Sequence, residues 1–173
     1  MRPLVSKILA LSLLVAGACG ASSPTTAATT TPEAAAPPAG LRKGLNIKLA
    51  TLYVDDQDKA LRFYTDVLGF ATKDDERNGP FRWLTVTSPG DADGPALLLA
   101  LNDDPAVRAF QQAMFQQGQP AAMFFTDDLA GDYARIQAHG VEFTMPPTDV
   151  TFATIATLND TCGNLIQLTQ LAR

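Results

Sequence analysis

A chain of 173 residues has room for one domain with a sizeable core and is short for a second. Its 13 basic and 18 acidic residues give a formal charge of −5. The absence of any basic cluster argues against nucleic acid or anionic lipid headgroups as electrostatic partners.

The N-terminus opens with Arg2 and Lys7 ahead of an apolar run, Ile8 to Val15, then the small residues Ala16-Gly17-Ala18 and Cys19. A charged start, an apolar stretch too short to span a bilayer comfortably and a small-residue cleavage site read as a signal peptide over residues 1–18. Val15-Ala16-Gly17-Ala18-Cys19 resembles a bacterial lipoprotein cleavage box, which implies acylation of Cys19 and attachment to the cell envelope. Ordinary cleavage after Ala18, giving a secreted soluble form, is the alternative. Residues 19–44 carry little beyond Ala, Ser, Thr, Pro and Gly until Leu41, and the only charge before Arg42 is Glu33. Such a segment buries too little apolar surface to offset chain entropy and is expected to act as a disordered tether. With the leader removed, 11 basic residues face 18 acidic ones, a formal charge of −7.

Regular patterning begins at Leu45. Asn46 to Val54 alternates, with Ala50, Leu52 and Val54 on one face and Leu49, Thr51 and Tyr53 on the other, as in a strand covered on both sides. After Asp55-Asp56 the period becomes helical through Ala60, Phe63, Tyr64, Val67 and Leu68, and Gly69 closes the helix. Downstream the same events return. The apolar run Ala121 to Thr126 leads to Asp127-Asp128, then a helix with Leu129, Tyr133 and Ile136, closed by Gly140. Asp56 to Gly69 spans 13 positions and Asp128 to Gly140 spans 12, which marks an internal repeat. Each helix is followed by room for three strands: about 70–78, 81–88 and 96–101 in the first copy, and about 141–145, 152–158 and 164–169 in the second. A helix at about 105–117, with Val107, Phe110 and Met114 inward and Gly118 at its end, joins modules of about 45–101 and 120–171. The predicted fold is α+β: two βαβββ modules in one chain, residues 45–172, forming a curved mixed sheet around a cleft.

Leu52-Tyr53-Val54-Asp55-Asp56, Phe63-Tyr64, Leu68-Gly69-Phe70 and the late turn Asp160-Thr161-Cys162-Gly163-Asn164-Leu165-Ile166-Gln167-Leu168 together resemble the vicinal oxygen chelate superfamily. Its members include glyoxalase I, extradiol dioxygenases and bleomycin-binding resistance proteins. The resemblance implies a cleft in which four strands each supply one ligand to a divalent metal. The matching positions here are Leu49, Ala100, Ala121 and Gln167. A transition ion needs several imidazole, thiolate or carboxylate donors, and a single amide oxygen does not hold one. No metal site, no cofactor and no metal-dependent glyoxalase or dioxygenase activity is therefore expected.

Other chemistry-bearing residues have structural readings. His139 suits the last turn of a helix, where the dipole favours it. The paired aspartates suit helix N-caps, and Cys162 a small turn residue. Trp83, Phe63 and Tyr64 read as core, and Asp74-Asp75-Glu76 as a solvated loop. If the fold follows the resemblance, the cleft is lined by Leu49, Thr51, Tyr53, Leu98, Ala100, Met123, Phe125 and Gln167, with Ala121 and Leu165 beside them. Mostly apolar with a few polar points, it suits a small apolar or modestly polar ligand oriented by Thr51, Tyr53 and Gln167. Two other readings stay open: a packed scaffold for a protein partner, and a metal-independent lyase or isomerase. A homodimer is compatible with all three.

Overall fold

In the computed structural model, which describes residues 44–172, the first strand β1 (Leu49–Val54) ends at Asp55-Asp56 and gives way to helix α1 (Gln57–Arg62). The signal peptide, Cys19 and the tether up to residue 43 lie outside the described residues. Asp56 caps α1 as its position suggested, its carboxylate accepting from the Asp58 and Lys59 amides at 2.8 and 2.9 Å. At Phe63 the helix widens into a π turn, Phe63–Val67, in which the Leu68 amide donates to the Phe63 carbonyl. The wider turn lets two consecutive aromatics, Phe63 and Tyr64, both reach the core. Gly69, at φ +85°, closes the segment.

Three strands follow, β2 (Ala71–Asn78), β3 (Phe81–Thr87) and β4 (Ala96–Leu101), and the sheet order is β1-β4-β3-β2 with β1 parallel to β4. Helix α2 (Pro105–Gln116) leads to the second module: β5 (Ala122–Phe125), α3 (Leu129–Ala138), β6 (Phe143–Val150), β7 (Ala153–Asn159) and β8 (Leu165–Leu171). Its sheet order, β5-β8-β7-β6 with β5 parallel to β8, repeats the first. Asp128 caps α3 through the Gly131 amide, His139 is its exposed C-cap and Gly140 follows at φ +78°. The two βαβββ modules are thus present as two four-stranded mixed sheets.

One hydrophobic core serves both modules, running from Leu52, Val54, Tyr64, Leu84 and Leu99 to Leu129, Ile136, Leu158 and Ile166. Burial of each such large side chain contributes on the order of 1.5–3 kcal/mol. Part of the contact between modules is aromatic, with Phe124 of β5 packed 6.4 Å from Tyr64 and 4.9 Å from Phe70 between ring centroids. A guanidinium bond from Arg135 Nη1 to the Val67 carbonyl joins α3 to the first module.

Several expectations are corrected by this arrangement. β1 is not covered on both sides: Leu52 and Val54 are buried, while Leu49 and Tyr53 remain 37% and 36% exposed and Thr51 is exposed too. Asp74-Asp75-Glu76 is no loop but the middle of β2, the outermost strand of its sheet, where polar residues discourage further strand pairing. Arg82, almost fully buried, clamps Asp75 through Nε and Nη2 at 2.6 and 2.7 Å and reaches Asp58 at 2.6 Å, while Thr85 Oγ1 donates to Asp74. β6 continues to Val150 through Pro146-Pro147, which its edge position and two shifts of register allow. In α2 the inward residue is Gln111, not Phe110, which is 62% exposed. Trp83 is half-buried, not core.

Candidate ligand-binding site

The site begins with the outer edge of β1. Even-numbered residues of this strand address β4: the Lys48 carbonyl accepts from Ala96 N and the Val54 carbonyl from Asn102 N, both at 3.0 Å. Backbone polar groups alternate in direction along a strand, so Thr51, Tyr53 and Asp55 address the other side. There they meet the turn before β8 and helix α2. The Tyr53 carbonyl accepts from Gln111 Nε2 and Asn164 Nδ2, each at 2.9 Å, and the Asp55 amide donates to the Cys162 carbonyl at 3.3 Å. One side chain from the linker helix and one from the second module thereby stand in for a neighbouring strand.

These two amides belong to a larger polar cluster. Asp160, buried, accepts from Cys162 N and Asn164 N through Oδ1, and from Tyr64 Oη and Asn164 Nδ2 through Oδ2, at 2.7–3.0 Å. Burial raises the Asp160 carboxyl above its ordinary range although these four donors pull the other way. The same burial, with Asp160 beside it, holds the Tyr64 hydroxyl well above its usual range. Gln111 completes the set: Nε2 also bonds the Cys162 carbonyl and Asn164 Oδ1, and Oε1 accepts from Asn102 Nδ2 at 2.6 Å. Lys59 ties in from α1, donating to Asp55 and to the Thr161 carbonyl at 2.8 Å. The turn itself is unusual: Thr161 has φ +62° and Gly163 φ +98°.

Where this polar cluster stops, a cavity of about 170 Å³ opens between the β1 edge and α2. Thr51 and Tyr53 form one wall, Phe110, Met114 and Phe115 of α2 the opposite one, and Pro120, Ala121 and Leu165 the floor from the second module. Of the residues the sequence placed in one cleft, the structure brings Thr51 and Tyr53 together here, with Ala121 and Leu165 beside them. Leu49, Leu98 and Ala100 lie on the same face of the first sheet, with Leu98 opposite Thr51 and Ala100 opposite Tyr53 in register. Met123, Phe125 and Gln167 lie on the open face of the second sheet, where Gln167 Nε2 donates to Thr169 Oγ1 at 3.0 Å. At the four family ligand positions stand Leu49, Ala100 and Ala121, which have no side-chain donor, and Gln167.

Residues 46–168 match the model of the glyoxalase/bleomycin resistance protein/dioxygenase superfamily. The chain belongs to this superfamily. Among similar proteins, YurT of Bacillus subtilis (strain 168), described as uncharacterized, is 47% identical over 126 residues, covering 73% of this chain and 99% of that protein. The crystal structure of UcmS2 superposes with a TM-score of 0.65 at 27% identity, covering 73% of this chain and 98% of the other. TnmS3, described as an antibiotic binding protein from Streptomyces sp. CB03234, superposes with a TM-score of 0.60 at 29% identity, covering 76% and 100%.

Sequence reasoning missed the contribution of α2 to this superfamily domain. Gln111 sits with Val107 and Met114 on a stripe spaced i, i+4, i+7, so its place on the inward face was available from spacing. A glutamine on an apolar stripe signals a buried amide with defined partners. Assigning Phe110 inward on hydrophobicity alone hid it.

Proposed function

We propose that this protein is a metal-free small-molecule binder of the superfamily, exported and held at the cell envelope by a lipid on Cys19. The observation that carries the reading is the apolar cavity under α2, which pairs aromatic and aliphatic walls with a few polar points from Thr51 and Tyr53. Similarity to a protein described as antibiotic binding supports it. Leucine and alanine at three of the four family ligand positions argue against catalysis through a bound divalent ion. Arg2, Lys7, the apolar run and Cys19 support export and acylation.

Native mass spectrometry of the full chain isolated from its source tests the first part. The expected result is a retained organic molecule of a few hundred daltons at most, without a transition ion; one tightly held divalent ion per chain overturns it. For the anchor, Cys19→Ser is expected to abolish lipid attachment, and a lipidated Cys19→Ser protein overturns that half.

A second reading, a protein-contacting scaffold, draws on the open face and rim of the second module. There Met123, Phe125, Phe152 and Leu171 are each more than half exposed. The partner favoured is a second copy of the chain, because each copy carries an open face on both modules and two copies can cover them reciprocally. Sedimentation equilibrium showing only monomer at micromolar concentration removes this reading.

A further inference from the structure

Resting on the binding reading above, the geometry points to a ligand class for the cavity: a compact ring system carrying a cyclic secondary amide, a lactam, paired with the main chain of Thr51. β1 is the edge strand of its sheet, and its outward groups are completed unevenly. Gln111 and Asn164 supply partners to the Tyr53 carbonyl, and Cys162 supplies one to the Asp55 amide. One step earlier, at Thr51, the outward N–H and C=O have no partner among the described residues, and this is the stretch that faces the cavity.

Backbone amides and carbonyls demand partners wherever water is excluded. A hydrocarbon entering this cavity would strip water from the Thr51 groups and leave both unsatisfied. An occupant that matches them must present one donor and one acceptor side by side on the same edge. A lactam does so, because its ring holds the amide cis with N–H and C=O pointing the same way. An open-chain trans amide points them in opposite directions. An extended peptide could also pair with Thr51, but its next partner group, the Tyr53 carbonyl, is already taken by two amides at 2.9 Å. Volume agrees: an apolar cavity of about 150 Å³ takes up a benzene ring, so about 170 Å³ suits one ring or two fused rings between Tyr53 and the α2 side chains. The polar cluster serves this site by fixing α2 and the turn, with Gln111 and Asn164 fully occupied and not free to bind.

The test uses a matched pair, 2-quinolinone and coumarin, which share shape and carbonyl and differ in a ring N–H against a ring oxygen. Titrated into the full chain and followed by calorimetry and by main-chain amide NMR, 2-quinolinone is expected to bind roughly tenfold tighter. The Thr51 amide resonance should move with 2-quinolinone and stay near its free position with coumarin. In Thr51→Pro the donor is removed at an edge position that proline tolerates, and the preference should collapse to about unity. Should that variant fail to fold, the resonance shift in the unaltered chain decides the matter alone. Equal affinities, or no movement at Thr51, overturn the lactam assignment and leave cavity binding intact. No binding of either compound up to millimolar concentration also overturns the lactam assignment, and the binding reading then stands or falls by native mass spectrometry of the chain. Tighter binding of N-acetyl-Val-Thr-Val-amide than of 2-quinolinone overturns the assignment in favour of strand addition.

Discussion

The two modules share a topology strand for strand, yet the turns that introduce their last strands have different uses. In the first module, Ser88 to Pro95 is a largely exposed loop with local bonds from Asp91 N to the Ser88 carbonyl, Gly94 N to the Asp91 carbonyl and Thr87 Oγ1 to the Asp91 carbonyl, and with the exposed Lys48 and Lys73 side chains donating to the Asp93 and Gly94 carbonyls. In the second, Asn159 to Asn164 is drawn inward and bonded to α1, β1 and α2 through Asp160, Cys162 and Asn164. The same position in the repeat is a surface loop with exposed contacts in one copy and a buried clasp in the other. A repeat therefore supplies a frame, and the asymmetry between copies marks where the site was built. Here the clasp fixes α2 against β1 and so creates the cavity.

Asp160→Ala is the severest way to break this asymmetry, since it strands four donors in a buried position. With each stranded buried donor costing about 1–3 kcal/mol, it should lower stability by at least about 3 kcal/mol, whereas Asp91→Ala, at the matching exposed loop, should stay within about 0.5 kcal/mol. Urea unfolding of both variants measures the contrast, and similar losses would mean that the clasp is no more than a second loop.

Cys162 offers a chemical readout of the same turn. Burial, reinforced by the Asp160 carboxylate, pushes its thiol up to about 12, so little thiolate exists near neutrality. At pH 8 its alkylation by iodoacetamide, followed by peptide mapping, should run roughly 100-fold slower than that of a free cysteine. In the Asp160→Ala variant most of this protection should vanish as the turn opens.

The glycines of the two turns give the next step down. Gly163 and Gly90 both have positive φ, +98° and +92°, so either substitution by alanine meets a backbone cost of about 1–2 kcal/mol. At Gly163 the added Cβ would also lie 2.8 Å from Gln111 Nε2, whereas at Gly90 nothing lies within 4 Å. Gly163→Ala should therefore exceed Gly90→Ala by about 1 kcal/mol or more, read from thermal unfolding. Only Gly163→Ala should also weaken ligand binding, because it displaces the residue that pins α2.

Much of the frame was legible because it depends on local chemistry. Asp56 and Asp128 cap helices, Gly69 and Gly140 close them, and hydrophobic periodicity marks the strands between. The parts that escaped depend on partners that only the folded arrangement brings together. Asp74-Asp75-Glu76 looks like a loop until Arg82 and Thr85 are placed beside it. Met123 and Gln167 were expected to line one cleft with Thr51; they lie side by side across β5 and β8, and whether they face Thr51 is a matter of how two modules dock. That docking draws on Phe124, Phe70 and Tyr64 and on the bonds of the 160–164 turn, contacts that no periodicity encodes. Gln111 lay on a readable stripe, yet its three acceptors come from segments 51 to 58 residues away.

The mildest probe lies in the first module, which has its own buried ionic contact in place of a clasp. Arg82 holds the Asp75 carboxyl below its usual range, and the Asp75 side chain is about one-third exposed. A carboxylate with a depressed folded pKa stabilises the fold fully above its unfolded pKa of about 3.9. That contribution is lost as pH falls through the folded value. Asp75→Asn should consequently be less stable than the unaltered chain at pH 7, with the gap narrowing below about pH 4. Thermal midpoints across this range report it. Asp160 has the opposite sign, since its folded pKa is raised: its titration lowers stability as pH climbs from the unfolded to the folded value. A gap for Asp75→Asn that stayed constant through this range would show that Asp75 adds nothing to the hold on Arg82 beyond what Asp58 provides.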